Sequence, residues 1–206
     1  MSSLPFLTKP AFAIAIEHLT RHVDTYSSHL SYEVKTSTFD KEDVYLEITR
    51  MVSSTPVENP TTAADEGDGF DVDIEDDEDD PESLLPSLSS MSPTHKVIYT
   101  ITLSPIYSVP ILHFTIAPLP PLPPTPVSLA DVYELLVPAS RREELGRLGV
   151  QGGISQGEHP YTGRTVWFVH PCRTGEVLRE FGEELKVEGY LGVWIGVFGG
   201  VVGLTL

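Results

Sequence analysis

The sequence predicts an α+β fold in which helices lie beside an antiparallel, four-stranded sheet. Three observations support this: a helical stripe of apolar residues near the start, two pairs of strand-like segments, and helical segments over most of the C-terminal half. The chain has 206 residues and 40% of them are hydrophobic, so residues 1–206 can form a single domain with a real core.

The first three elements follow from apolar periodicity. A helix is predicted over Lys9–Tyr26, and strands are predicted over residues 31–38 and 44–52, joined by a turn. The second strand alternates apolar and polar residues, which is the period of a half-buried strand. The apolar stripe of the helix has approximately helical spacing and consists of Phe12, Ile14, Ile16, Leu19 and Val23.

Residues 53–94 interrupt this pattern. They are rich in Ser, Thr, Pro, Asp and Glu, so they bury too little apolar surface to fold and are predicted to form a disordered acidic insertion. Residues 65–82 hold 12 of the 30 acidic residues and no Lys or Arg. The net charge of −17 is thus reduced to about −5 outside this run. We interpret these acidic residues as a solvated run of like charges, and a site for interaction with another molecule is the alternative.

A second strand pair is predicted over residues 96–103 and 109–116. Residues 118–126 contain six prolines and should form a stiff, extended linker, with a ligand for a proline-recognising domain as the alternative. Ser128 should cap the next helix, because Asp131 follows at the spacing of a capping box.

The C-terminal half is predicted to be mostly helical. Helices are expected over residues 140–148, 175–185 and 190–197. A polar, glycine-containing loop over residues 151–163 should precede one short strand over residues 164–169.

Features of the whole chain predict a cytoplasmic protein without stable membrane insertion. The mostly apolar residues 190–206 lie at the lower length limit of a spanning helix, but they include five glycines and lack basic flanks. A buried helix with a packed tail is favoured over a tail anchor. No signal peptide is indicated, and a single cysteine cannot form an internal disulfide. The sequence contains no stripe of basic residues, so it does not predict nucleic acid as a partner.

The single cysteine is the first candidate for chemistry. Cys172 follows the predicted strand, precedes a predicted helix and stands beside Arg173, and helix N-termini and cations favour the reactive thiolate. A small buried hydrophobe is the alternative role, and a common one. His170, two residues earlier, is a candidate base, although a structural role is favoured because Pro171 interrupts the strand geometry.

Two other chemistries are disfavoured by spacing. A phosphate-binding loop of the tyrosine-phosphatase kind needs arginine six residues after the cysteine, where this chain has Leu178. One cysteine and seven scattered histidines indicate no metal site. A cysteine hydrolase stays an alternative, since a histidine distant in sequence can approach the sulfur in the fold.

Three segments of the chain together resemble one family. Their residues are Gly152-Gly153-Ile154-Ser155-Gln156 with His159-Pro160, Gly163 and the run from Trp167 through His170-Pro171-Cys172 to Thr174; Tyr107-Ser108-Val109-Pro110-Ile111-Leu112; and Gly200-Val201-Val202-Gly203-Leu204. In these segments the chain resembles the autophagy-related protein 10 family, the E2-like enzymes that conjugate ubiquitin-like autophagy protein 12. The resemblance covers roughly residues 95–206 well, and the remainder only by element order. The sister lipid-conjugation branch, with a similar triplet at its cysteine, is the second choice.

The resemblance implies an E2-like (UBC-type) fold and a thioester relay. Cys172 would take autophagy protein 12 from an E1-like enzyme and pass it to a lysine of autophagy protein 5, which supports autophagosome formation. The thioester is already activated, so the family chemistry implies no metal or other cofactor on this chain.

The resemblance also implies the remaining site residues. Ordinary ubiquitin E2 enzymes place an asparagine before the cysteine to stabilise the oxyanion, but Asn59 is the only asparagine here and lies in the predicted insertion. Tyr107 matches the family as a candidate hydroxyl near the thioester, with a packed strand aromatic as the alternative. His170 is a weaker candidate, and His159 in the matching loop is either structural or positions a partner.

Three functional classes make different predictions about the sulfur. An E2-like enzyme predicts an accessible Cys172 without a complete catalytic triad. A non-catalytic binding module predicts a buried sulfur, and a hydrolase predicts a histidine held within hydrogen-bond reach of it, roughly 3 Å.

Overall fold

The computed structural model describes residues 4–26, 32–40, 43–53, 94–142, 153–182 and 185–206. The interior of the acidic insertion, predicted over residues 53–94, lies outside the described residues. Most of the helix predicted over residues 140–148 does so too, although residues 139–142 are helical.

The strands of the described residues are β1 (Tyr32–Asp40), β2 (Asp43–Val52), β3 (His95–Leu103), β4 (Pro110–Pro118), β5 (Ile154–Glu158) and β6 (Thr165–Val169). These six form one antiparallel sheet in the order β1-β2-β3-β4-β6-β5. The α+β class and the antiparallel sheet with flanking helices are confirmed, but the prediction of four strands is wrong.

The sheet gains its two further strands from a hairpin in the C-terminal half. β6 corresponds to the short strand predicted from sequence, whereas β5 lies inside the segment predicted to be a loop. The sequence of β5 lacks apolar alternation, and cross-strand pairing with β6 makes it a strand. Its Gly157 permits this pairing, since a Cβ there would lie 2.9 Å from the Phe168 ring.

The helices whose full extent lies in the described residues are α1 (Lys9–Tyr26), α2 (Leu129–Leu136), α3 (Thr174–Arg179) and α4 (Tyr190–Phe198), which continues into a 3₁₀ turn over Gly199–Val202. α1 has the predicted bounds. The prediction that α3 extends over residues 175–185 is wrong, because the helix ends at Arg179. Gly182, three residues beyond that end, adopts a φ of +54°, a left-handed conformation that a right-handed helix cannot include.

The predicted capping box of α2 is confirmed. The Ser128 hydroxyl accepts a hydrogen bond from the Asp131 backbone N–H at 3.3 Å, and the Asp131 carboxylate accepts one from the Ser128 N–H at 2.7 Å. Hydrogen bonds from Ser128 lower the pKa of Asp131. These bonds satisfy backbone donors that a helix N-terminus otherwise leaves unpaired.

One face of the sheet and the helices enclose the core. The buried stripe of α1 includes four of the five predicted side chains, but Ile14 is 44% exposed. A helical period of 3.6 residues places position 14 almost opposite position 12, and Ala15 fills the core-facing position instead. The opposing strands contribute Leu46, Ile48, Val97, Tyr99, Ile101, Leu112 and Phe114.

The C-terminal tail packs against this core, as the sequence predicted. The Tyr99 hydroxyl donates a hydrogen bond to the Val202 carbonyl oxygen at 2.8 Å, and the Arg50 guanidinium donates to the Gly203 carbonyl oxygen. Leu204 is fully buried. No helix among the described residues combines the length and apolarity that a bilayer crossing requires.

The two glycines Gly196 and Gly199 provide a matched test of the packed tail. A Cβ at Gly199 would lie 2.6 Å from the Leu204 carbonyl oxygen, whereas one at Gly196 would meet open space. We expect Gly199→Ala to lower the free energy of unfolding by about 1–3 kcal/mol through overpacking. Gly196→Ala should raise it by roughly 0.5–1 kcal/mol through helix propensity. Chemical denaturation measures both, and equal effects would contradict the packing.

Candidate active site

The position of Cys172 is set by a short strand pairing. β6 pairs with β4 at only three positions, where Leu112, His113 and Phe114 face Val169, Phe168 and Trp167. Because the strands are antiparallel, the C-terminal end of β6 lies beside the beginning of β4. The chain therefore leaves the sheet toward Cys172 at the end where the β3–β4 turn lies.

Cys172 lies on an exposed turn between two buried residues. Pro171 and Thr174 are buried, and the Thr174 N–H donates a hydrogen bond to the Pro171 carbonyl oxygen at 3.0 Å. Cys172 itself is exposed. This geometry contradicts the buried sulfur that a non-catalytic binding module predicts.

The cation next to Cys172 is partly neutralised. The Arg173 guanidinium lies 3.4 Å from the Glu176 carboxylate, and both side chains are largely exposed. Exposed ion pairs of this kind are weak and are screened by salt. Arg173 is therefore a partly compensated charge beside the sulfur rather than an isolated one.

Tyr107 lies in the turn between β3 and β4. Its backbone N–H donates a hydrogen bond to the Ser104 hydroxyl at 3.0 Å, and the Ser108 N–H donates to the Ser104 carbonyl oxygen at 2.9 Å. The side chain of Tyr107 is 44% exposed, so the alternative of an aromatic packed within the sheet is wrong. The turn and Cys172 project from the same end of the sheet.

His170 is half-buried and borders the cysteine turn. Its ring centroid lies 5.9 Å from that of Phe168, and its backbone N–H faces the Gly153 carbonyl oxygen at 3.5 Å. Its Nδ1 atom is buried without a hydrogen-bond partner among the described residues. Among the described residues, therefore, no carboxylate is hydrogen-bonded to that ring nitrogen.

His159 accepts hydrogen bonds within its own turn. Its Nδ1 accepts hydrogen bonds from the backbone N–H groups of Tyr161 and Thr162, at 3.2 and 3.3 Å. The neutral ring therefore holds its proton on Nε2. These bonds organise the β5–β6 turn, and Tyr161 in that turn stacks on Phe39 with centroids 5.1 Å apart.

A second histidine, His113, lies beneath this turn and was not predicted as a functional residue. Its ring centroid lies 5.3 Å from that of His159, and its Nε2 lies 3.2 Å from the Thr102 hydroxyl. The sequence placed His113 on a predicted strand but gave no other indication of its position beside His159. The fold brings the two histidines together on the sheet face opposite the core.

Both histidines are held neutral. Burial, reinforced by the nearby His159, lowers the pKa of His113 to about 4. Burial also lowers the pKa of His159, while the carboxylate of Glu47 opposes that shift. Desolvation disfavours the charged form of an imidazole, so the pair resists protonation.

A cavity of about 480 Å³ lies beside the β3–β4 turn. Ser104, Pro105 and Ser108 from the turn line it, together with Lys9 and Asp43, whose charged atoms are 2.7 Å apart. In the described ranges, no group of three or more His, Cys, Asp or Glu side chains is arranged to hold a metal ion.

Comparison with known proteins supports an active-site domain. The family model "Autophagocytosis associated protein, active-site domain" matches residues 11–206. A protein of Gibberella zeae named "Ubiquitin-like-conjugating enzyme ATG10" is 39% identical over 134 residues, which are 65% of this chain and 56% of that protein. A human protein of the same name is 32% identical over 115 residues, 54% of this chain and 50% of its own. The chain thus spans about half the length of the curated relatives it matches.

The neutral histidine pair predicts a pH-dependent stability. Because the pKa of His113 is about 4 in the folded chain and about 6.5 when unfolded, the unfolded chain binds more protons between these values. The contribution of neutral His113 to the free energy of unfolding should therefore be fully present above pH 6.5 and should fall by about 3 kcal/mol toward pH 4. The free energy of unfolding, measured by urea denaturation at several pH values in this range, should depend less steeply on pH in His113→Gln than in the wild type. An unchanged slope would contradict the buried, neutral state of His113.

Proposed function

We propose a function for this chain from one premise: it belongs to the family of autophagocytosis-associated proteins, whose active-site domain model matches nearly its whole length. The function is that of an E2-like conjugating enzyme, which receives a ubiquitin-like modifier as a thioester on Cys172 and transfers it to a lysine. The single observation that supports this most is the exposure of Cys172 on a turn at the sheet end, inside the matched domain.

The proposed chemistry consists of two acyl transfers. The modifier arrives as a thioester on an E1-like enzyme. The Cys172 thiolate attacks the carbonyl carbon of that thioester, and the thiolate of the E1-like enzyme leaves. The amine of an acceptor lysine then attacks the new thioester, the Cys172 thiolate leaves, and the amine loses a proton as the isopeptide bond forms. Sulfur suits both steps because a thiolate is a good nucleophile and a good leaving group.

The proposed modifier is autophagy protein 12, and the proposed acceptor is a lysine of autophagy protein 5. Both follow from the family resemblance around Cys172 and from the relatives, two of which are named "Ubiquitin-like-conjugating enzyme ATG10". The proposal places the reaction in the cytoplasm, in support of autophagosome formation. Those names favour this branch over the sister lipid-conjugation branch.

Tyr107 is proposed to assist the transfer, and His170 is the weaker second candidate. An exposed phenol in the turn at the Cys172 end of the sheet can donate one hydrogen bond to the oxygen that develops negative charge. This role would replace the asparagine of ordinary ubiquitin E2 enzymes. His170 has an uncommitted Nδ1, but the ring is half-buried.

A charging assay tests the relay. The protein is mixed with the E1-like enzyme, ATP and autophagy protein 12, and then separated on gels with and without thiol reductant. We expect a reductant-sensitive adduct that is absent in Cys172→Ala and becomes reductant-stable in Cys172→Ser. If partners shown to be active on a control enzyme yield no adduct, the assignment to this branch is wrong.

Tyr107→Phe tests the proposed hydroxyl. Because the side chain is half-exposed in a turn, the change should leave the melting temperature and thioester formation nearly unchanged. Single-turnover transfer to the acceptor should slow by roughly 10²-fold, the usual effect of removing one oxyanion donor. Tyr133→Phe in α2 is the matched control and should transfer at the wild-type rate. Equal rates for both variants would remove Tyr107 from the mechanism.

A further inference from the structure

The segment that precedes α1 contacts the turn bearing Tyr107. The Leu7 backbone N–H donates a hydrogen bond to the Ser108 carbonyl oxygen at 2.7 Å. The Leu7 side chain is buried in the core, which fixes the segment at that point. A displacement of the segment would therefore move the residue that directly follows Tyr107.

The preceding residue contacts the helix that follows Cys172. The Phe6 ring lies 3.1 Å from the place where a Cβ on Gly175 would be, so only glycine permits this approach without a shift. The Arg179 guanidinium lies over the same ring, 5.2 Å from its centroid. Phe6 thus contacts both ends of α3, which begins two residues after Cys172.

A third contact anchors the segment to the C-terminal helix. The Tyr190 hydroxyl donates a hydrogen bond to the Pro5 carbonyl oxygen at 2.7 Å, and Tyr190 is fully buried. Burial raises the pKa of Tyr190, so the hydroxyl retains its proton and remains a donor. Residues 5–7 therefore contact α4, α3 and the β3–β4 turn in succession.

We propose that Phe6 is a positioning residue that fixes α3, and with it Cys172, relative to the β3–β4 turn and Tyr107. Phe6 is 37% exposed, so filling the core does not account for its contacts; the adjacent Leu7 serves the core. The catalytic consequence rests on the proposed function. Small misplacements of reacting groups slow a reaction strongly, so loss of the ring should reduce transfer.

A distance measurement tests the positioning without any catalytic assay. In a Cys172→Ser background, spin labels are attached to cysteines introduced at Ile106, which is 82% exposed, and at exposed Glu176. Pulsed electron resonance gives the distance distribution between the turn and α3. We expect Phe6→Ala to broaden it by roughly twofold, since one of the connecting contacts is lost. Tyr190→Phe should broaden it less, because Phe6 remains.

A kinetic measurement tests the consequence for transfer. With Cys172 present, Phe6→Ala should lower kcat for transfer roughly tenfold and leave KM for the acceptor unchanged. Phe6→Tyr should restore the rate, because it keeps the ring. Ile14→Ala, which truncates an apolar side chain of similar exposure on α1, is the control and should retain both the narrow distribution and the rate.

The outcomes separate this proposal from the proposed function. An unchanged distance distribution in Phe6→Ala overturns the positioning, whether or not the wild type forms a thioester. A broader distribution with wild-type kcat overturns the catalytic consequence. A wild type that forms no thioester overturns the proposed function, while the distance distribution still decides whether Phe6 fixes α3.

Discussion

Three residue pairs between β4 and β6 determine the arrangement of this molecule. They join the C-terminal hairpin to the sheet at Leu112, His113 and Phe114 alone, and so direct the chain after Val169 toward the β3–β4 turn. Because the pairing stops there, the far end of the hairpin is free of the ladder and turns over the outer face. The same junction thus places Cys172 beside the β3–β4 turn and His159 above His113.

Much of the fold is predictable because its elements bury apolar side chains at regular spacing. α1 and the first four strands follow from this signal to within two residues. β5 does not, since its sequence is polar and its strand geometry depends on pairing with β6 and on the space that Gly157 leaves for Phe168. Ile14 shows the related error, because apolar character alone does not place a residue on the buried side of a helix.

The candidate site is predictable in composition but not in arrangement. Cys172, Tyr107 and His170 are predicted as site residues from local sequence and family resemblance. The histidine pair was not, because His113 and His159 lie 46 positions apart in the sequence and only the fold brings their rings within 5.3 Å. The contacts of Phe6 with α3 were equally hidden, since they join opposite ends of the chain.

The chemistry of a thioester does not require an oriented base. A hydrolase must activate water or a hydroxyl and therefore needs a histidine held by a carboxylate, whereas a thioester already has a good leaving group. His159 accepts hydrogen bonds within the β5–β6 turn, His113 lies within hydrogen-bond distance of the Thr102 hydroxyl, and burial lowers the pKa of both histidines. The remaining requirement is geometric: the acceptor amine and the developing oxyanion must meet Cys172 in fixed positions. That requirement gives an advantage to rigid contacts around an exposed sulfur, such as those of the segment before α1.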